Sequence, residues 1–176
     1  MLRHAAYERQ YVLTMFLEAL QDAFFAALAA IGFAAISHPP KRVYIYCALI
    51  AAVGHSVRFV LMGGESGLHI VAATFIASFV VGSLAVFLSP LSRTPAETCL
   101  YPALLPMIPG VYAYKTFAGL AMCIVGSTEE QFAHNFYLFA SNAIMCLFIL
   151  TVMVIGATVP IFIFKKISFQ ATRSSD

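Results

Sequence analysis

Residues 131–164 read QFAHNFYLFASNAIMCLFILTVMVIGATVPIFIF, a stretch that contains no Asp, Glu, Lys or Arg. The hydrocarbon core of a bilayer is about 30 Å thick, and a helix needs roughly 20 residues to cross it. The apolar residues run continuously, without the alternation of a barrel strand. Because a backbone in lipid must satisfy its own hydrogen bonds, the stretch predicts a transmembrane helix.

Three further stretches, residues 23–40, 66–92 and 98–114, also lack charged side chains. Boundaries taken from turn residues and charges predict an all-α integral membrane protein with five transmembrane helices. Their predicted ranges are Thr14–Ile36, Val43–Met62, Leu68–Leu88, Ala103–Val125 and Phe136–Phe164. The connections between them are short, so we expect neighbouring helices to run antiparallel.

The composition of the whole chain supports this class. Of its 176 residues, 61 % are hydrophobic and 10 % are charged, and the mean hydropathy is +0.89. Soluble domains are about half apolar and about one quarter charged. These values exclude a cytosolic enzyme, a nucleic-acid-binding protein and a disordered regulator, and the net charge of +2 is too small to indicate a polyanionic partner.

The distribution of Lys and Arg predicts the orientation. An N-terminal arm (residues 1–13) would precede the transmembrane helical domain (14–164), and a basic tail (165–176) would follow it. The arm carries Arg3 and Arg9 on one side of the membrane. The other side has the larger set, Lys41, Arg42, Arg93, Lys165, Lys166 and Arg173. Because the richer side is usually cytoplasmic, we expect the N-terminus outside and the C-terminus inside.

Four ionisable side chains fall inside the first two predicted helices, where an unpaired charge costs about 3 kcal/mol. Glu18 and Asp22 are four residues apart and share one face of the first helix. His55 and Arg58, three residues apart, share one face of the second. In an antiparallel pair with a rise of about 1.5 Å per residue, these positions predict two tiers of opposite charge. Asp22 would pair with His55, and Glu18 would pair with Arg58 nearer the outer face.

The Asp22–His55 tier has two interpretations. As a functional pair it would carry protons or sense a substrate carboxylate, because histidine titrates near neutrality. As a structural pair it would neutralise itself, while Arg58 extends to the outer interface. Glu18 would then lie near the lipid headgroups.

Prolines interrupt the fourth predicted helix, where residues 101–114 read YPALLPMIPGVYAY. Pro106 and Pro109 lack a backbone N–H, and Gly110 adds flexibility. A uniform helix would leave carbonyl groups without donors, which lipid tolerates only where protein or a cavity satisfies them. We therefore expect a discontinuous helix whose second half begins near Val111, as in many transporter binding sites.

Lys115 follows this break, near the middle of Ala103–Val125. At that depth its ammonium group would pair with an anionic substrate. If the span instead ends at Tyr114, Lys115 lies at the interface.

Two groups of residues resemble the threonine/serine exporter family. The first group is Asp22, Gly32-Phe33-Ala34, Pro40, Cys47-Ala48-Leu49 and Gly54-His55-x-x-Arg58. The second is Pro106-Met107-Ile108-Pro109-Gly110-x-x-Ala113-Tyr114. The resemblance is to the smaller, C-terminal component of these exporters and runs from about Phe16 to the end of the fifth helix. Glu18 and Lys115 depart from the family pattern.

The resemblance implies a secondary exporter of threonine and serine, or of a related small dicarboxylate, in the bacterial inner membrane. Such exporters occur as one ten-helix chain or as two five-helix chains, so this chain would be half of an inverted-repeat transporter. It would need a second five-helix subunit. The resemblance and the residue patterns together predict the residues that line the substrate or proton path. They are Asp22, His55, Arg58, Pro106, Pro109, Gly110, Tyr114 and Lys115.

Two other functions fit the sequence: an accessory membrane subunit without its own substrate site, and a homo-oligomeric channel. An accessory subunit would tolerate substitution of Asp22 and His55, and a channel would pass solute without a coupled ion. No nucleophile, base and orienting group converge in the sequence, so we do not expect an enzyme. We expect no cofactor or metal either, and an ion gradient, most simply of protons, would supply the energy.

Overall fold

The computed structural model describes residues 2–63, 67–126 and 128–164. These ranges contain helices and no strand, in the order α1 (Leu2–Ile36), α2 (Val43–Met62), α3 (Ile70–Ser92), α4 (Ala96–Leu104), a 3₁₀ turn (Leu105–Met107), α5 (Gly110–Val125) and α6 (Glu129–Ile163). Four helices are long and apolar enough to cross a bilayer, and the bent pair formed by α4 and α5 is a fifth when its two halves are counted as one broken span. The chain is therefore an all-α, multi-pass membrane protein.

The first two spans end where the sequence predicts, α1 at Ile36 and α2 at Met62. The start of α1 differs, because the helix begins at Leu2 and residues 2–13, predicted as an N-terminal arm, continue it. Its apolar candidate span begins at Val12. The predicted basic tail, residues 165–176, lies outside the described residues.

Two later helices begin seven residues before their predicted starts: α4 begins at Ala96 rather than 103, and α6 at Glu129 rather than 136. The reason is the charged residues of their first turns, which had been assigned to loops. Glu97 in α4 and Glu129 in α6 complement the positive end of the helix dipole. The Thr128 side chain also caps α6 by accepting a hydrogen bond from a backbone N–H of its first turn, at 3.3 Å.

The helices pack in a connected series. α2 lies against α1 and α3, α3 packs along α6, and α6 packs along α5. The short α4 contacts α1, α2 and α3 and so fills the centre of the bundle. Small side chains dominate the buried surface, among them Ala26, Ala30, Ala34, Ala73, Ala77, Ala85, Ala96, Ala103 and Ala157. In a membrane such residues stabilise helix pairs by letting the backbones approach closely.

The crossing of α3 and α6 depends on glycine. A Cβ atom on Gly82 would collide with the backbone carbonyl group of Ala157. We expect Gly82→Ala to lower the free energy of unfolding by about 1–3 kcal/mol, because one of the two helices must shift. Gly32→Ala is the matched control, since a Cβ on Gly32 meets nothing within 4 Å. Thermal unfolding of both variants in one detergent measures the difference, and equal melting temperatures would contradict the close approach.

Candidate functional site

The break in the fourth span is the centre of the candidate site. The two halves of the span are bent by 54°. Pro106 and Pro109 cannot donate backbone hydrogen bonds, and the N–H of Gly110 donates to the carbonyl of Ile108 at 2.8 Å. The predicted discontinuity is therefore present, and α5 begins one residue before the expected Val111.

The break leaves two backbone carbonyl groups, those of Pro106 and Met107, without the N–H groups that a continuous helix would supply. Arg58 on α2 satisfies one of them, since its Nη1 donates to the Met107 oxygen at 2.9 Å. The imidazole of His55, one turn earlier on the same face, lies beside the Pro106 carbonyl. Both basic side chains of α2 therefore face the interruption.

His55 also contacts the first helix. Its Nδ1 lies 3.1 Å from Oδ2 of Asp22, within hydrogen-bonding and ion-pair distance. The His55 side chain is 7 % exposed and that of Asp22 is 39 % exposed. The Asp22 carboxylate also interacts electrostatically with Arg58. We call Asp22, His55 and Arg58 the polar cluster; it joins α1, α2 and the broken span.

The second ring nitrogen of His55 is left unsatisfied. Nε2 is fully buried and makes no hydrogen bond of good geometry with any atom of the described ranges. A buried polar atom without a partner costs about 1–3 kcal/mol, so this nitrogen is a candidate contact for a ligand.

The predicted outer tier of charges is wrong. Arg58 does not pair with Glu18; it turns towards the broken helix and donates to Met107. Glu18 is exposed on α1, and the described part of the chain contains no ion pair between the two. The physical reason is the unpaired Met107 carbonyl at the break, which offers the guanidinium a buried acceptor.

The structure does not bring Tyr114 and Lys115 to the polar cluster. Tyr114 is 73 % exposed on α5. Lys115 is exposed and lines a separate pocket of about 370 Å³ between α5 and α6. The other residues of this pocket are Ala118, Gly119, Met122, Asn135, Leu138 and Asn142. The bend after Pro109 directs α5 towards α6. Tyr114 and Lys115 are on α5 and therefore lie away from the polar cluster.

Sequence reasoning missed the carbonyl of Met107 as a functional group. The signal was present, because Pro109 and Gly110 follow Met107 after one residue, Ile108, and a helix cannot continue through them without freeing carbonyl oxygens. Arg58, one helical turn after His55, is the donor that this free oxygen needs.

Comparison with known proteins finds one family model and relatives of the chain. The family model described as "Threonine/Serine exporter, ThrE" matches residues 22–163, a range that begins at Asp22 and includes the whole break. An uncharacterized protein of Haemophilus influenzae is 36 % identical over 151 residues, which cover 85 % of this chain and 49 % of that protein. The chain thus spans about half the length of this relative. No solved structure matches the chain.

Proposed function

Because the chain belongs to the threonine/serine exporter family, we propose that it is a subunit of a secondary exporter for threonine, serine or a related small dicarboxylate. The family comprises transporters and not enzymes. The observation that carries the proposal is the Asp22–His55 contact of 3.1 Å beside the broken span. It supports a transport site in which the polar cluster lies next to freed backbone carbonyls.

His55 gives this site a way to respond to protons. A neutral imidazole that donates from Nδ1 to Asp22 carries a lone pair on Nε2 and has no second N–H to donate to the Pro106 carbonyl beside the ring. A protonated imidazole can donate to both groups. A proton on His55 would therefore tie α1 and α2 to the break, and its release would loosen that connection. This supports protons as the coupling ion.

The other two members of the polar cluster fit the charges of an amino acid. The guanidinium of Arg58 can receive a carboxylate, for which its planar fork is suited. It would give up the Met107 carbonyl to do so. The partly exposed Asp22 carboxylate can receive an ammonium group. A dicarboxylate would use Arg58 and protonated His55 instead.

The site is proposed to be completed by a second membrane subunit. The matched relative is about twice as long as the matched region, which leaves room in it for a second set of spans. Five spans place the two ends of a chain on opposite sides of a membrane, so a second half would insert in the inverted orientation. We propose the bacterial inner membrane as the location, with the N-terminus outside, from the Lys and Arg distribution.

Efflux measurements test this function. Cells loaded with radiolabelled serine, threonine or a four-carbon dicarboxylate are expected to export one of them when they express this chain together with a candidate five-helix partner subunit. Neither chain alone should export. The control is the same pair carrying Asp22→Asn, which should export about 30- to 150-fold more slowly. Export by this chain alone would contradict the two-subunit proposal, and no export of any of these solutes by the pair would contradict the substrate class.

A further inference from the structure

Two charged side chains are exposed well inside the candidate spans. Glu18 lies six residues into the span Val12–Ile36, next to Leu17, which is 55 % exposed. Lys115 is exposed in the second half of the broken span. In the ranges that the structure describes, neither side chain has a hydrogen bond or an ion pair. A charge inside a span is costly unless it reaches the interface or is paired, so a partner of opposite sign would stabilise each of them.

The two charges lie on the same side of the polar cluster. Glu18 is one turn from Asp22 towards the N-terminus of α1, a rise of about 6 Å. Lys115 lies five residues after the start of α5, beyond the break that Arg58 contacts. Five residues correspond to a rise of about 8 Å along α5, and this helix is bent by 54° relative to the first half of the span. Because α1 and the broken span run antiparallel, both displacements point in the same direction. The flexible four-carbon side chain of Lys115 can cover the remaining difference in depth between the two charges.

Within one copy of the chain the two residues belong to different packing groups. α1 packs against α2, α4 and the 3₁₀ turn, whereas α5 packs along α6. Only Gly119 is buried on α5, so this helix presents most of its surface outwards. Glu18 and Lys115 are therefore available to another molecule in the membrane.

The pocket around Lys115 suits a carboxylate. Asn135 Nδ2 donates to the Met122 carbonyl at 3.3 Å, and Asn142 Nδ2 donates to the Leu138 carbonyl at 2.6 Å. Each amide retains a second N–H for a ligand. A lysine and two amide groups on an apolar surface form a binding site for an anionic side chain on an apolar helix of another molecule.

We propose that two copies of this chain associate in the membrane through ion pairs between Glu18 of one copy and the Lys115 pocket of the other. In a dimer with two-fold symmetry each copy supplies one member of each pair. Both exposed charges of each copy are then paired. This inference does not depend on the transport function.

Charge exchange tests the proposal. Full-length chains with two different tags are reconstituted together in neutral phosphatidylcholine nanodiscs, and their co-purification is measured. Glu18→Lys alone and Lys115→Glu alone should each reduce association by about tenfold or more, because like charges then face each other. A mixture of the two variants should regain wild-type association, since Lys at position 18 meets Glu at position 115 and the native Lys115 meets the native Glu18.

Two controls separate charge pairing from misfolding. The double variant Glu18→Lys/Lys115→Glu should associate with itself like the wild type, and Lys41→Glu, in the exposed α1–α2 connection, should change nothing. A wild-type chain that stays monomeric without a second subunit would overturn the proposal. So would single reversals without effect, or a mixture that does not recover.

Discussion

Replacing Asp22 with asparagine is expected to slow efflux about 30- to 150-fold while the protein still inserts and folds. Asparagine has the shape of aspartate but no charge, so the 3.1 Å contact with His55 loses its ionic character. Hydrogen bonds to charged groups contribute about 1.5–3 kcal/mol, and about 2–3 kcal/mol corresponds to this range of rates. The carboxylate that would hold a protonated imidazole, or receive a substrate ammonium, is then absent.

The measurement is initial efflux rate per inserted molecule, with insertion followed by membrane-fraction immunoblot. Glu130→Gln provides the matched control, because it makes the same carboxylate-to-amide change at an exposed position in the first turn of α6. That variant should export at the wild-type rate. Full efflux by correctly inserted Asp22→Asn protein would remove Asp22 from the transport mechanism.

Arg58→Met is expected to reduce both stability and transport. Methionine preserves the length of the side chain but leaves the Met107 carbonyl without the donor that lies 2.9 Å away. The unsatisfied carbonyl costs about 1–3 kcal/mol of folding free energy. Efflux should fall by roughly 100-fold, because a substrate carboxylate also loses its cationic partner.

Thermal unfolding and efflux are measured on the same preparations. Arg42→Met is the control, since Arg42 is exposed just before α2 and makes no side-chain cap there. Arg58→Lys should retain more transport than Arg58→Met, because it keeps the charge. A melting temperature of Arg58→Met equal to that of the wild type would show that the guanidinium does not stabilise the break.

Spacing along the chain was sufficient to predict the core of the site. Asp22 and His55 meet because α1 and α2 are joined by a short connection and run antiparallel, so residue counting compares their depths directly. The break was equally predictable, since Pro106 and Pro109 remove backbone donors whatever the surroundings. The first prediction needs only residue counting along two antiparallel helices, and the second needs only the chemistry of proline.

Other features depend on geometry that no local rule supplies. Arg58 binds the Met107 carbonyl because of the direction in which that carbonyl faces. This direction depends on how α4 packs between α1, α2 and α3. Lys115 departs from the polar cluster because the direction of the 54° bend is a property of the assembled bundle. The early start of α6 was missed because Glu129 serves as a helix-start residue, although its charge is typical of a loop.

The most direct test of the account is a double-mutant cycle on efflux with Asp22→Asn, His55→Gln and the two changes combined. If the acid and the imidazole act as one unit beside the broken span, the double variant exports about as slowly as the slower single variant. If the two side chains act independently, the losses multiply, and the double variant is slower than either single variant by the full factor of the other. The first result is the one predicted here, and the second would contradict it.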